Sequence, residues 1–171
     1  DYDKTIGQIL LNAEDIENEE KKDNLINTFS TMLELGIIPV VNENDSVSYT
    51  EIESEERLFG DNDMLSAIVA VLTRSDRLVI LSDIDGLYDK DPRLHPDATL
   101  IEEIPQVTDE TLALAGGAGS RRGTGGMKTK LSAARLATAN GITTTIINGK
   151  HPEMIYDIIE GKKCGTTFLG K

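Results

Sequence analysis

The chain switches between two hydrophobic periods. Short apolar or β-branched runs predict strands over 8–11, 37–41, 77–81, 142–147 and 165–169. Between them the spacing lengthens to three and four. Over 18–35, the positions Leu25, Ile26, Phe29, Met32 and Leu33 mark one side of a helix that Gly36 stops. A second helix is predicted over 61–74, with Met64, Leu65, Ile68, Val69 and Leu72 inward. Further helices are expected over 108–115, over 127–140 ending at Gly141, and over 152–160, which opens with Pro152 and ends at Gly161. The polar stretch 42–60 reads as irregular with a small hairpin. The stretch 83–99, with Asp85-Gly86, Asp91-Pro92 and His95-Pro96, reads as a long loop, and 116–126 as a glycine-rich one.

Strands alternating with helices define an α/β protein. The runs at 37–41 and 78–81 are apolar at consecutive positions, so they predict strands buried on both faces. The expected fold is a three-layer α/β/α sandwich with a mostly parallel sheet, a single domain over 1–171 without repeat or linker. In such sheets ligands gather outside the carboxyl ends of the strands, which directs attention to the residues after Val41 and Leu81.

Composition narrows the partners. The 171 residues carry a formal charge of −13, which disfavours nucleic-acid backbones. The acidic runs 14–23 and 51–56 read as a solvated face and a mobile loop. No apolar run approaches the roughly 20 residues of a membrane span, and no targeting segment is evident. A lone Cys164 fits a reducing cytoplasm and rules out a cysteine metal cluster. His95 and His151 each precede proline in turn-like contexts, so no metal site is expected. The chain begins at Asp1 without Met, as a fragment would.

The strongest chemical signal is Gly123-Thr124-Gly125-Gly126-Met127-Lys128-Thr129-Lys130, which runs directly into a helix. A helix entrance offers unpaired N–H groups and the positive end of the dipole, and glycines let a phosphate come close. Lys130 adds a full charge. The stretch matches neither Gly-x4-Gly-Lys-Ser/Thr nor Gly-x-Gly-x-x-Gly, so a kinase built on it is not of the P-loop class. Three polar clusters accompany it. Asn42-Glu43-Asn44-Asp45 follows a strand and can read an amino acid's ammonium and carboxylate, or be a plain turn. Gly60-Asp61-Asn62-Asp63 opens a helix, where one residue suffices as a cap and three are present. Ser82-Asp83, at a strand end, can contact a nucleotide or belong to an aspartate-rich turn.

In this order the clusters resemble the amino acid kinase family. Ser82-Asp83-Ile84-Asp85-Gly86-Leu87-Tyr88-Asp89-Lys90-Asp91-Pro92 is similar to a motif shared across it. The other clusters are most similar to members that phosphorylate the γ-carboxylate of glutamate, the first step of proline biosynthesis. The resemblance implies that Asp45 and Asn62 bind glutamate with Asn42 close by. It implies that Ser82 and Asp83 contact ATP, and that Thr124, Gly125, Gly126, Met127, Lys128, Thr129 and Lys130 form the nucleotide loop. Lys130 would stabilise charge on the transferred group, Asp63 would orient catalytic lysines, and Mg²⁺ would arrive with ATP.

The family places a second catalytic lysine and a further glycine loop near its N-terminus. Neither precedes Asp1, so the chain is expected to be the C-terminal, ATP-binding portion of such a domain, inactive alone. Ser82 stands where relatives often carry threonine, and the acidic loop 48–59 is longer than usual. The resemblance further implies a homo-oligomer, proline as feedback inhibitor acting near 44–59, and contact with glutamyl phosphate reductase. It implies neither nucleic acid nor membrane as partner. Acetylglutamate, carbamate or uridylate kinase activity, or a non-catalytic nucleotide-binding module, are the alternative expectations.

Overall fold

The computed structural model describes residues 3–44, 61–115 and 124–171, side chains of 124 and 125 excepted. Asp45, Gly60, the hairpin and loop expected within 45–60, and the glycine-rich stretch 116–123 lie outside the described residues. The chain divides into two compact units, 1–65 and 66–171.

In the first unit, β1 (Ile6–Leu11) and β2 (Ile38–Glu43) are parallel, in register from Ile6 opposite Ile38 to Leu11 opposite Glu43. The crossover holds α1 (Ala13–Glu17) and α2 (Glu19–Glu34). α1 occupies an acidic run read from sequence only as a solvated face. Asn18 caps α2, its Oδ1 accepting from Lys21 N at 3.0 Å. Gly36 continues at φ +70°, a left-handed turn that suits glycine. The apolar stripe of α2 buries Phe29 to 1% exposure. Gly7 lets the helix approach, since a Cβ there would collide with Met32.

Burial of β2 on both faces is not observed. Ile6, Leu10, Ile38 and Val40 share the opposite face of the pair and are 65%, 42%, 48% and 48% exposed. Consecutive apolar residues reveal a strand but not how many layers cover it. Here α2 covers one face of the pair.

The second unit has a four-stranded sheet in the order β3-β5-β6-β4: Arg77–Ser82, Thr143–Asn148, Thr166–Phe168 and Glu103–Ile104. β3 runs parallel to β5 and β4 to β6, while β5 and β6 are antiparallel. Among the described residues, three of the four strand pairings are therefore parallel, an α/β arrangement as expected. β5 is buried along its four central residues, with Ile146 and Ile147 at 0% exposure; β3 leaves Leu81 47% exposed.

α3 (Asn62–Leu72) begins in the first unit and contributes Ala67 and Ala70 to the second unit's core. α4 (Asp109–Leu114) is capped by Thr108, whose hydroxyl accepts from Thr111 N at 3.2 Å. α5 (Thr124–Ala139) packs Leu131, Ala133, Ala134 and Ala137, all 0% exposed, with Ile142, Ile146 and Phe168 in one core. Alanines let the helix axis come close to the sheet, and each large side chain buried there contributes about 1.5–3 kcal/mol. The turn from α6 (Met154–Ile159) into β6 needs glycine at 165. Its φ is +63°, and a Cβ would collide with Ile146 O and approach Ile147 Cγ2 to 2.8 Å.

Candidate functional site

In the two longer parallel pairs, strands β2, β3 and β5 end in polar residues. In the first unit, β2 terminates in Asn42 and Glu43, and Asn44 N donates to Leu11 O at 2.9 Å. Asn42 is exposed. Asn12, just past β1, contributes the one buried side-chain oxygen without a hydrogen bond among the described residues. At the start of α3, Asp61 is the cap, its Oδ1 accepting from Met64 N at 2.9 Å. The capping explanation therefore applies to Asp61 and leaves Asn62, exposed, and Asp63, half-buried, in the first helical turn. Acidic groups there also complement the helix dipole.

In the second unit, the carboxyl ends of β3 and β5 lie side by side, Ser82 opposite Asn148. Ser82 is buried to 9% exposure, and its hydroxyl donates to Asp83 Oδ1 at 3.3 Å. Gly149 N donates to Ser82 O at 2.7 Å. Asn148 Nδ2 donates to Asp85 Oδ1 at 2.8 Å, and Tyr88 OH to Asp85 Oδ2 at 3.0 Å. These donors, Asn148 first, hold the Asp85 carboxyl below the usual range. Burial and its bond to Asp85 raise the Tyr88 hydroxyl. Arg93 pairs with Asp91 through Nε at 3.0 Å and Nη2 at 2.8 Å, and the charge of Asp83 also favours its cationic form.

The glycine-rich signal needs a correction. Thr124, Gly125, Gly126 and Met127 are inside α5 rather than in a loop before it, and Lys130 is in the second turn, not the first. Glycine costs a helix about 1 kcal/mol in backbone entropy relative to alanine, which weakens a helix start without forbidding it. Lys130 Cα lies about 9 Å along the axis from Thr124 at ~1.5 Å per residue. Helical side chains lean toward the amino end, so a lysine in the second turn can still serve the helix entrance. The turn at 140–142 sends β5 back along α5, placing that entrance on the side where β3 and β5 end. Lys128 is exposed, while Met127, Thr129 and Lys130 are half-buried.

The structure thus brings Ser82 and Asp83 together and places the helix entrance carrying Lys128 and Lys130 on the same side of the same unit. Asn42, Asn62 and Asp63 are in the other unit. Sequence reasoning missed Asn148. The rule that singled out Ser82 applies equally to it, since Asn148-Gly149-Lys150 directly follows a strand. Among the described residues, no group of three or more His, Cys, Asp and Glu side chains is placed to hold a metal ion. No helix among them is long and apolar enough to cross a membrane.

Parallel strand ends with a lysine-bearing helix entrance on the same side of the sheet define an α/β class whose sheet edge can hold a phosphorylated ligand. A sequence model of the amino acid kinase family matches residues 1–148, and the chain belongs to that family. It is 53% identical over its full length to a protein named glutamate 5-kinase from Clostridium perfringens. It is 48% identical over 98% of its length to one so named from Clostridium tetani, and 47% identical over its full length to one from Listeria innocua. The chain spans 63%, 61% and 62% of those relatives' own lengths.

Among solved structures, the UMP kinase of Bacillus anthracis superposes with a TM-score of 0.62 at 14% identity, over 98% of this chain and 59% of that one. The UMP kinase of Ureaplasma parvum gives 0.59 at 20%, over 97% and 60%. At these identities the likeness is one of fold.

Proposed function

We propose that this chain is the ATP-binding portion of a glutamate 5-kinase domain, which phosphorylates the γ-carboxylate of L-glutamate to give L-glutamyl 5-phosphate. The observation carrying this is the 53% identity to a glutamate 5-kinase, maintained over the whole chain. The strand end at Ser82 and Asp83 and the helix entrance of α5 suit a nucleotide as well.

A γ-carboxylate oxygen of glutamate attacks the γ-phosphorus of ATP, the bond to the bridging oxygen breaks, and ADP leaves with that electron pair. No proton need move, so catalysis consists of positioning and charge stabilisation. Asp45 and Asn62, with Asn42, would hold the amino acid. Ser82 and Asp83 would hold the nucleotide with the segment Thr124, Gly125, Gly126, Met127, Lys128 and Thr129. Lys130 would offset charge on the transferred phosphoryl group, and Asp63 would keep the catalytic lysines aimed. Mg²⁺ would come with ATP and supply charge neutralisation at the phosphates, which calls for few protein ligands. A homo-oligomer, proline as inhibitor acting near 44–59, and contact with glutamyl phosphate reductase belong to the same proposal.

The test is ATP-dependent formation of γ-glutamyl hydroxamate by the full-length protein and its Lys130→Ala variant. The expected loss in kcat is on the order of 10²–10³-fold, as for removal of one preorganised charge-stabilising group. Absence of hydroxamate from a folded, ATP-binding full-length protein would defeat the substrate assignment. Unaltered kcat in the variant would defeat the role given to Lys130.

A further inference from the structure

We propose that Asp85 is a positioning residue that fixes the Ser82–Asp83 corner against the end of β5 through Asn148. The proposal rests on the reading of Ser82 and Asp83 as nucleotide contacts. It starts from a contact no local motif explains. Asn148 and Asp85 are 63 residues apart, yet the amide donates to the carboxylate at 2.8 Å. The second carboxylate oxygen is taken by Tyr88 OH at 3.0 Å. The other end of the amide is used too, since Asn148 Oδ1 accepts from Lys150 N at 3.0 Å. That pattern fits one orientation of the amide, because a carboxylate needs the donor and a backbone N–H the acceptor.

The segment is held on both sides of Asp85. Upstream, Ser82 O accepts from Gly149 N at 2.7 Å. Downstream, Leu87 N donates to the buried hydroxyl of Thr166 at 2.8 Å, and Gly86 packs so closely that a Cβ would come within 3.0 Å of Thr166 N. Between these clamps Asp83 is exposed at the strand end. Among the described residues, Asp85 is the remaining side-chain tie across to β5. Without it, residues 83–86 are anchored only at their ends, and the hydroxyl and carboxylate that meet the nucleotide lose their fixed bearing. A displacement near 1 Å at such a corner is enough to weaken a bound ligand's contacts.

The experiment is steady-state kinetics on the full-length protein, varying ATP and glutamate separately, for Asp85→Ala, Asn148→Asp and the double variant Asp85→Asn/Asn148→Asp. Asn148→Asp sets two carboxylates against each other. The double variant restores an amide–carboxylate bond with the roles exchanged, and residue 148 can still accept from Lys150 N. Each single variant is expected to raise the KM for ATP about 10-fold, as for loss of a hydrogen bond to a charged group. The kcat and the KM for glutamate should stay within about twofold, and the double variant should recover most of the loss. Equal damage to both KM values and kcat, or a double variant no better than Asn148→Asp, would overturn the positioning role. So would an unchanged KM for ATP. Calorimetric titration of ATP into the wild-type protein separates the two levels: no binding there removes the nucleotide reading and the brace with it, whereas binding with unaffected variants removes the brace alone.

Discussion

Asp85 also has a consequence for acid stability. Its carboxyl lies below the ordinary range because Asn148 and Tyr88 donate to the ionised form. A depressed folded pKa means that the unfolded chain binds its proton first as pH falls. The stabilisation is therefore complete above the unfolded value, about 3.9, and is lost as pH falls through the lower folded value. Comparing thermal unfolding of wild type and Asp85→Ala should show a constant Tm gap at neutral pH that closes below about pH 4. A gap that persists unchanged into strong acid would mean that ionisation of Asp85 contributes nothing. The chemistry at this corner was half legible in the sequence. Ser82 and Asp83 announce themselves as a hydroxyl and a carboxylate directly after an apolar strand. Asn148 does not, because Asn-Gly after a strand reads equally well as a turn, and its partner lies on the loop after another strand.

Among the elements, α5 ties the core to the candidate site. Its buried face is Leu131, Ala133, Ala134 and Ala137, all at 0% exposure. Such a face has no room for a larger side chain. Ala134→Leu should destabilise by about 1–3 kcal/mol through overpacking, seen as a lower urea midpoint with an unchanged m-value. An unshifted midpoint would mean the helix sits loosely on the sheet. The body of α5 was readable from its apolar spacing and from Gly141. Its start is not: the glycines predict a loop, yet the helix begins at Thr124, because glycine's entropic cost of about 1 kcal/mol disfavours a helical turn without excluding it. β2 shows the converse limit. Its apolar run correctly marked a strand, but Ile38 and Val40 are each 48% exposed, because covering a strand depends on neighbours that its own residues do not encode.

For the whole molecule, the same limit bears on activity. The chain spans 61–63% of the three curated relatives' lengths. Its first unit is a two-stranded parallel sheet with Ile6, Leu10, Ile38 and Val40 on an open face. Parallel sheets ordinarily have both faces covered, and two strands alone are marginal. Phosphoryl transfer between a carboxylate and ATP also demands that both reactants be held in line, with charge compensated on either side. In the proposed reading, Lys128 and Lys130 on α5 would supply that compensation from one helix. If the proposed activity belongs to the full-length protein, the 171-residue chain expressed alone is therefore expected to form no γ-glutamyl hydroxamate above background. Adding the isolated chain to assays at increasing concentration checks this directly. Product rising in proportion to the chain would show that the reacting groups are complete within these residues, and the second source of charge would then have to be sought among them.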